Sequence, residues 1–257
     1  MTADSAAPNH AVTTPPRDDC VDVSAPPSSG EFTCDDDLFD AKFPPEVRRR
    51  SAMFWTPIAV AHRAGELLAD LGVERVLDIG SGPGKFCVAA ATRAPKVRFV
   101  GVEQRAHRVE VAREVARRLG VTNTRFEVGD ATRVDLTRFD AVYMFNPFAE
   151  NGFAEVERFD QTVELTEVRL LHDVARVERA VAASPAGMLV LTYHTYGGRF
   201  PDSFDLFHCE RAGTGWLRIW RRRAGGRRRA GITKRTTTAA RSRAAQLVAE
   251  QGLFDEG

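Results

Sequence analysis

Three glycines at alternate positions, Gly80, Gly82 and Gly84, follow the apolar run Val76-Leu77-Asp78-Ile79 and lead directly into Lys85-Phe86. Glycine suits such a turn because the backbone must take torsions that a side chain resists, and because a ligand must approach the main chain closely. The amides that open the following helix then face whatever fills the crevice. Asp78, Gly80, Ser81, Gly82 and Gly84 are therefore the first candidate ligand-binding residues. Ordinary strand-to-helix junctions also use glycine, so the turn gains weight from two acids further on. Glu103 closes Phe99-Val100-Gly101-Val102, where a carboxylate can accept hydrogen bonds from both hydroxyls of a ribose, and Gln104 is grouped with it. Asp130 closes Phe126-Glu127-Val128-Gly129, where it can accept from an exocyclic amine or cap a turn.

These residues need strands that end at one edge. Between Pro44 and Arg222 short apolar runs alternate with longer amphipathic ones, the pattern of repeated βαβ units. Strands are expected over Arg75 to Ile79, Arg98 to Glu103, Arg125 to Val128, Ala141 to Phe145 and Met188 to Tyr193. Helices fit over Pro57 to Leu71, ended by Gly72, and over Lys85 to Thr92, Arg105 to Leu119 and Val163 to Ala183. Phe204 to Glu210 and Trp216 to Trp220 have no room for a helix between them and read as a hairpin. The expected fold is α/β and doubly wound, a mostly parallel seven-stranded sheet closed by an antiparallel C-terminal hairpin.

Charge divides the chain differently. Met1 to Asp40 holds nine acids and one base, is rich in Pro, Ser and Ala and shows no sustained period, so residues 1–43 are expected to be disordered. Arg221 to Gly257 holds ten bases and three acids, so residues 223–257 read as a basic, flexible tail around a folded domain over 44–222. Such a run predicts at most a weak, salt-sensitive contact with nucleic acid, since no aromatics are interleaved to stack bases. No apolar run approaches the roughly 20 residues of a membrane span, and the start is polar and acidic rather than basic-then-apolar. Four widely spaced cysteines suit neither a disulfide framework nor a zinc knuckle, so a reducing, cytoplasmic setting without a metal is expected.

From Ala52 to Arg222 the sequence resembles the class I S-adenosylmethionine-dependent methyltransferases, through the Asp-x-Gly-x-Gly-x-Gly turn at Asp78 to Gly84, the acids Glu103 and Asp130, and the closing hairpin. The resemblance implies S-adenosylmethionine as cofactor. Asp78 to Gly84 would lie against its methionine part, Glu103 would hold the ribose, and Asp130 with the Ala131 amide would read the adenine. Methyl transfer is an in-line displacement in which holding the partners collinear supplies most of what a protein can give. Asn146, Pro147 and Phe148 end the fourth strand at the edge where ligands bind in such folds. There an Asn oxygen and the adjacent carbonyl can accept both hydrogens of an amine while Phe148 packs over the target, or the same residues can form a turn. The Asn-Pro-Phe-Ala run resembles the Asn-Pro-Pro-aromatic motif of amino-group methyltransferases acting on adenine or glutamine, and the Asn-Asn-Phe-Ala of the non-SET histone lysine methyltransferases. It lacks the second proline of one and the second asparagine of the other.

Other residues carry less. Tyr193, His194 and Tyr196 can line an acceptor pocket or serve structure, Phe54 and Trp55 can cover a cofactor or pack, and His107 and His172 fall on exposed helical positions. Two other functions stay open: a Rossmann-type NAD(P)-dependent oxidoreductase, and a non-enzymatic nucleic-acid-binding protein using the basic tail. Against the first, Lys85 stands where the dinucleotide fingerprint wants its third glycine, and no Tyr-x-x-x-Lys pair occurs. Acceptor class, the atom methylated and oligomeric state are not encoded legibly.

Overall fold

The computed structural model describes residues 36–49, 51–194 and 196–224. The order of elements is α1 (Asp36–Asp40), α2 (Pro45–Arg48), α3 (Ser51–Phe54), α4 (Ile58–Asp70), β1 (Arg75–Ile79), α5 (Lys85–Arg93), β2 (Arg98–Glu103), α6 (Ala106–Arg118), β3 (Thr124–Val128), β4 (Ala141–Phe145), α7 (Glu167–Ala183), β5 (Leu189–Tyr193), β6 (Phe204–Ala212) and β7 (Gly215–Arg222). The seven strands form one sheet in the order β3-β2-β1-β4-β5-β7-β6. β1 to β5 run parallel, and β7 pairs antiparallel with both β5 and β6. The expected architecture is the observed one.

Alternation along each central strand divides the core. Val76, Phe99, Ala141 and Leu191 point into a layer packed by α4, α5 and α6, while Leu77, Val142 and Val190 point into the layer packed by α7. Both faces are buried, which is why these strands read as near-continuous apolar runs. The order in which strands are added reverses between β1 and β4, so the carboxyl ends of β1, β2 and β4 open onto one crevice.

Element ends depart from expectation where a side chain sets them. α7 begins at Glu167 rather than Val163, because Thr166 stays extended and its Oγ1 accepts the Arg169 amide at 3.1 Å. The expectation that residues 1–43 lack structure fails for 36–43: Phe39 and Phe43 are core residues, and Asp36 and Asp40 pair with Lys85. Residues 1–35 and the tail from 225 onward lie outside the described residues, so the remaining expectations for them have no structural counterpart. Cys87 is a free, buried thiol. No described helix is long and apolar enough to cross a membrane.

Candidate active site

The turn after β1 takes left-handed torsions at all three glycines, with φ of 73°, 53° and 86° at Gly80, Gly82 and Gly84. The β2 carbonyl of Val102 accepts from the Gly80 and Ser81 amides at 3.0 and 3.1 Å, which ties the turn to the neighbouring strand. Gly80, Ser81 and Gly82 line the crevice. Gly84 lies just behind this lining. A Cβ there would sit 2.6 Å from the Phe126 ring and 2.8 Å from Ala112 Cβ, so this glycine lets α5 close on β3 and α6.

Asp78 lies at the floor, buried, with the Cys87 thiol donating to its Oδ2 at 3.4 Å. Burial pushes its carboxyl up to about 7, the nearby Glu103 charge adds to the rise, and the thiol hydrogen bond opposes it. Lys85, the first residue of α5, is buried and lines the crevice; its Nζ lies 2.5 Å from Asp36 and 2.6 Å from Asp40. Asp36 Oδ1 also accepts the amide of Ile58, the first residue of α4, at 2.9 Å. This one carboxylate therefore anchors two helices.

Glu103 joins the turn to the opposite wall. Its Oε2 accepts the Gly82 amide at 3.2 Å and its Oε1 the Arg105 amide at 2.9 Å. The Arg105 side chain is buried and donates to Glu150 at 2.9 Å and to Asp160 at 3.0 Å, binding α6 to the long connection between β4 and α7. Partial burial disfavours ionised Asp160, but hydrogen bonds from Thr162 and the Arg105 guanidinium outweigh it and hold the carboxyl at about 2. Arg108 lies 3.6 Å over the Phe159 ring, and Phe159 packs on Phe54 of α3 at 4.3 Å between centroids. Phe54, Trp55 and Phe159 all line the crevice.

The remaining expected residues separate into two groups. Gln104, Asp130 and Ala131 line the crevice. Gln104 accepts from Arg169 at 3.0 Å, and Asp130 accepts from the Thr132 amide and hydroxyl at 2.9 and 2.6 Å, so Asp130 also caps the short turn that Ala131 begins. Asn146, Pro147 and Phe148 line it from the end of β4, and Asn146 holds a left-handed φ of 41°. Pro147 O would lie 3.4 Å from a Cβ on Gly80, so the β4 end presses against the glycine turn. Tyr193, His194 and Tyr196 are not among the lining residues: Tyr193 OH donates to Ala212 O at 3.0 Å, and Tyr196 OH donates to Arg199 O at 2.6 Å. His107 and His172 have half-exposed side chains, as expected from their helical positions.

Sequence reasoning missed Arg105, Arg108, Glu150, Asn151 and Phe159. The one available signal was the concentration of charged and aromatic residues between Phe148 and Leu165, where no period of a helix or strand appears. Among the described residues, no group of three or more His, Cys, Asp or Glu could hold a metal ion.

Residues 72–196 match a family described as a methyltransferase domain. A demethylmenaquinone methyltransferase from Deinococcus radiodurans is 38% identical over 104 residues, covering 37% of this chain and 42% of that protein. The chain thus spans about two fifths of the length of that curated relative. A methyltransferase structure from Geobacter sulfurreducens is 16% identical with a TM-score of 0.49, over 74% of this chain and 92% of that one. An RNA methyltransferase from Salinibacter ruber, solved with S-adenosyl-L-homocysteine, is 20% identical with a TM-score of 0.46, over 69% and 99%. TrmN from Thermus thermophilus is 24% identical with a TM-score of 0.48, over 68% and 53%.

Proposed function

We infer that this chain, which carries a methyltransferase domain over residues 72–196, binds S-adenosylmethionine in the crevice at the ends of β1, β2 and β4 and transfers its methyl group to an acceptor presented beside Asn146 to Phe148. The observation that carries this is the junction of Glu103 with Gly82: one carboxylate at the β2 end reaches the glycine turn and keeps lone pairs for a diol. Ser81 supports the fit, since its Oγ is buried at the turn with no partner among the described residues. Asp78, Ser81 and Gly82 would take the amino-acid end, Glu103 and Gln104 the ribose, and Asp130 with Ala131 the base.

The cofactor supplies a methyl carbon on a positively charged sulfur, which an acceptor displaces in line. The chain's own contribution is placement. Gly80 takes the left-handed torsion that lets the turn run beside the Pro147 carbonyl, so the β4 end and the turn share one wall. Phe54, Trp55 and Phe159 line it with apolar rings. The acceptor is an amine nitrogen in this reading, supported by the Asn-Pro-Phe run at the strand end.

Calorimetry tests the cofactor assignment. S-adenosylhomocysteine should bind the wild type, and Glu103→Ala should lose most of that affinity while remaining folded. Tight binding of NAD(H) with no response to methyl donors would overturn the reading in favour of an oxidoreductase. S-adenosylmethionine is a cytoplasmic metabolite, which supports a cytoplasmic site of action, and fractionation of lysed cells tests it. The basic run from Arg221 supports a weak contact with nucleic acid, to be tested as salt-sensitive binding that disappears on removal of residues 225–257.

A further inference from the structure

The acceptor end of the crevice contains a buried polar atom that has no partner among the described residues. Asn151 follows β4 in the short 3-10 turn Ala149–Gly152, is 7% exposed and lines the crevice. Its Nδ2 donates to the Phe148 carbonyl at 3.1 Å, and its own amide donates to the same carbonyl at 3.1 Å. These bonds fix the side chain and leave Oδ1 shielded from water without a partner. A buried amide oxygen left unbonded costs stability and is seldom retained without a use.

Two neighbouring carbonyls are already committed: the Asn146 carbonyl accepts the Ala149 amide at 3.0 Å, and the Phe148 carbonyl serves both Asn151 nitrogens. Glu150, beside Asn151, is held by Arg105 and by the Phe159 amide at 2.8 Å, so the turn is clamped to both. Among the described residues, Asn151 Oδ1 is the buried side-chain acceptor at this strand end that has no partner.

We propose that Asn151 receives a hydrogen of the methyl acceptor and thereby selects an acceptor bearing N–H at the methylated atom, an amine or amide nitrogen. The proposal rests on the methyltransferase reading above and replaces Asn146 by Asn151 as the group that aims the nitrogen. In the transfer, the nitrogen lone pair forms the new bond to carbon as the carbon–sulfur pair returns to sulfur, and the surplus proton on nitrogen leaves to water. Asn151 takes no proton, because a side-chain amide accepts hydrogen bonds but is not a base at neutral pH. Because Oδ1 is shielded from solvent, this contact requires the turn Ala149–Gly152 to open when the acceptor enters.

The test compares two cofactor analogues by calorimetry, with the full chain. S-adenosylhomocysteine has nothing where the transferred methyl stood, whereas sinefungin places a primary amine there. In Asn151→Ala, sinefungin should weaken about tenfold relative to S-adenosylhomocysteine, the size expected for losing a hydrogen bond to a charged group. In Asn151→Asp, which keeps an oxygen and adds a negative charge, sinefungin should hold or gain against S-adenosylhomocysteine. A purely structural Asn151 moves both ligands together in both variants, and an unchanged ratio overturns the proposal. If Asn151→Ala fails to fold, the ratio in Asn151→Asp alone decides. Failure of the wild type to bind S-adenosylhomocysteine would instead defeat the methyltransferase reading.

Discussion

The two ends of the crevice are built differently. On the β1–β2 side, backbone does the shaping: three left-handed glycines, amides shared with Val102 O, and a carboxylate that bonds to main-chain nitrogens. On the β4–α7 side, side chains from distant segments do it. Arg105, just before α6, reaches Glu150 and Asp160, and Phe54 of α3 meets Phe159. A site whose fixed half binds a common cofactor and whose other half rests on exchangeable side chains can change its acceptor without rebuilding its fold.

The largest effect that would sharpen this contrast belongs to Asp78 on the backbone side. Its folded carboxyl is raised from 3.8 to about 7, so the protonated form is favoured in the folded protein and the associated stability is lost as pH rises from about 4 to 7. Asp78→Asn should flatten that decline, by up to about 4 kcal/mol at neutral pH. Denaturant midpoints across this range measure it, and equal slopes in both proteins would contradict the raised value. A cationic ligand favours the ionised form, so S-adenosylmethionine should gain on S-adenosylhomocysteine as pH rises through 7.

Gly84→Val should cost about 3 kcal/mol, since a side chain there is both strained and driven into Phe126 and Ala112. Thermal unfolding monitors this, and cofactor affinity measured below the transition should change little. Arg105→Ala comes next, at about 2 kcal/mol, because its two carboxylate partners are partly solvated and recover some hydration. That variant should weaken S-adenosylhomocysteine as well as stability. The smallest effect is expected for Phe159→Ala, about 1 kcal/mol from lost contacts with Phe54 and Arg108. If it abolished cofactor binding while Gly80→Ala did not, the division between a rigid and an exchangeable half would be broken.

The same division explains what the amino-acid sequence revealed. Glycine spacing, strand-end acids and apolar runs are local consequences of torsion, burial and period, so β1 to β7, the turn and Glu103 could all be read directly. Arg105 could not, because its partners lie 45 and 55 residues away. Asp36 to Asp40 has the composition of a solvated acidic segment, and only Lys85, 49 positions on from Asp36, gives it a reason to fold. Gly84 is required for packing as well, a cause that its spacing does not show. Asn151 looked like any loop asparagine, since an unbonded oxygen is visible only once its surroundings are known.

The double anchoring by Asp36 sets a limit on how far the protein can be trimmed. A version beginning after Asp40 would strand the Lys85 ammonium in an apolar wall with neither counter-ion, and would uncap the first amide of α4 at the same stroke. Anyone shortening the acidic arm to obtain crystals should therefore cut upstream of residue 36.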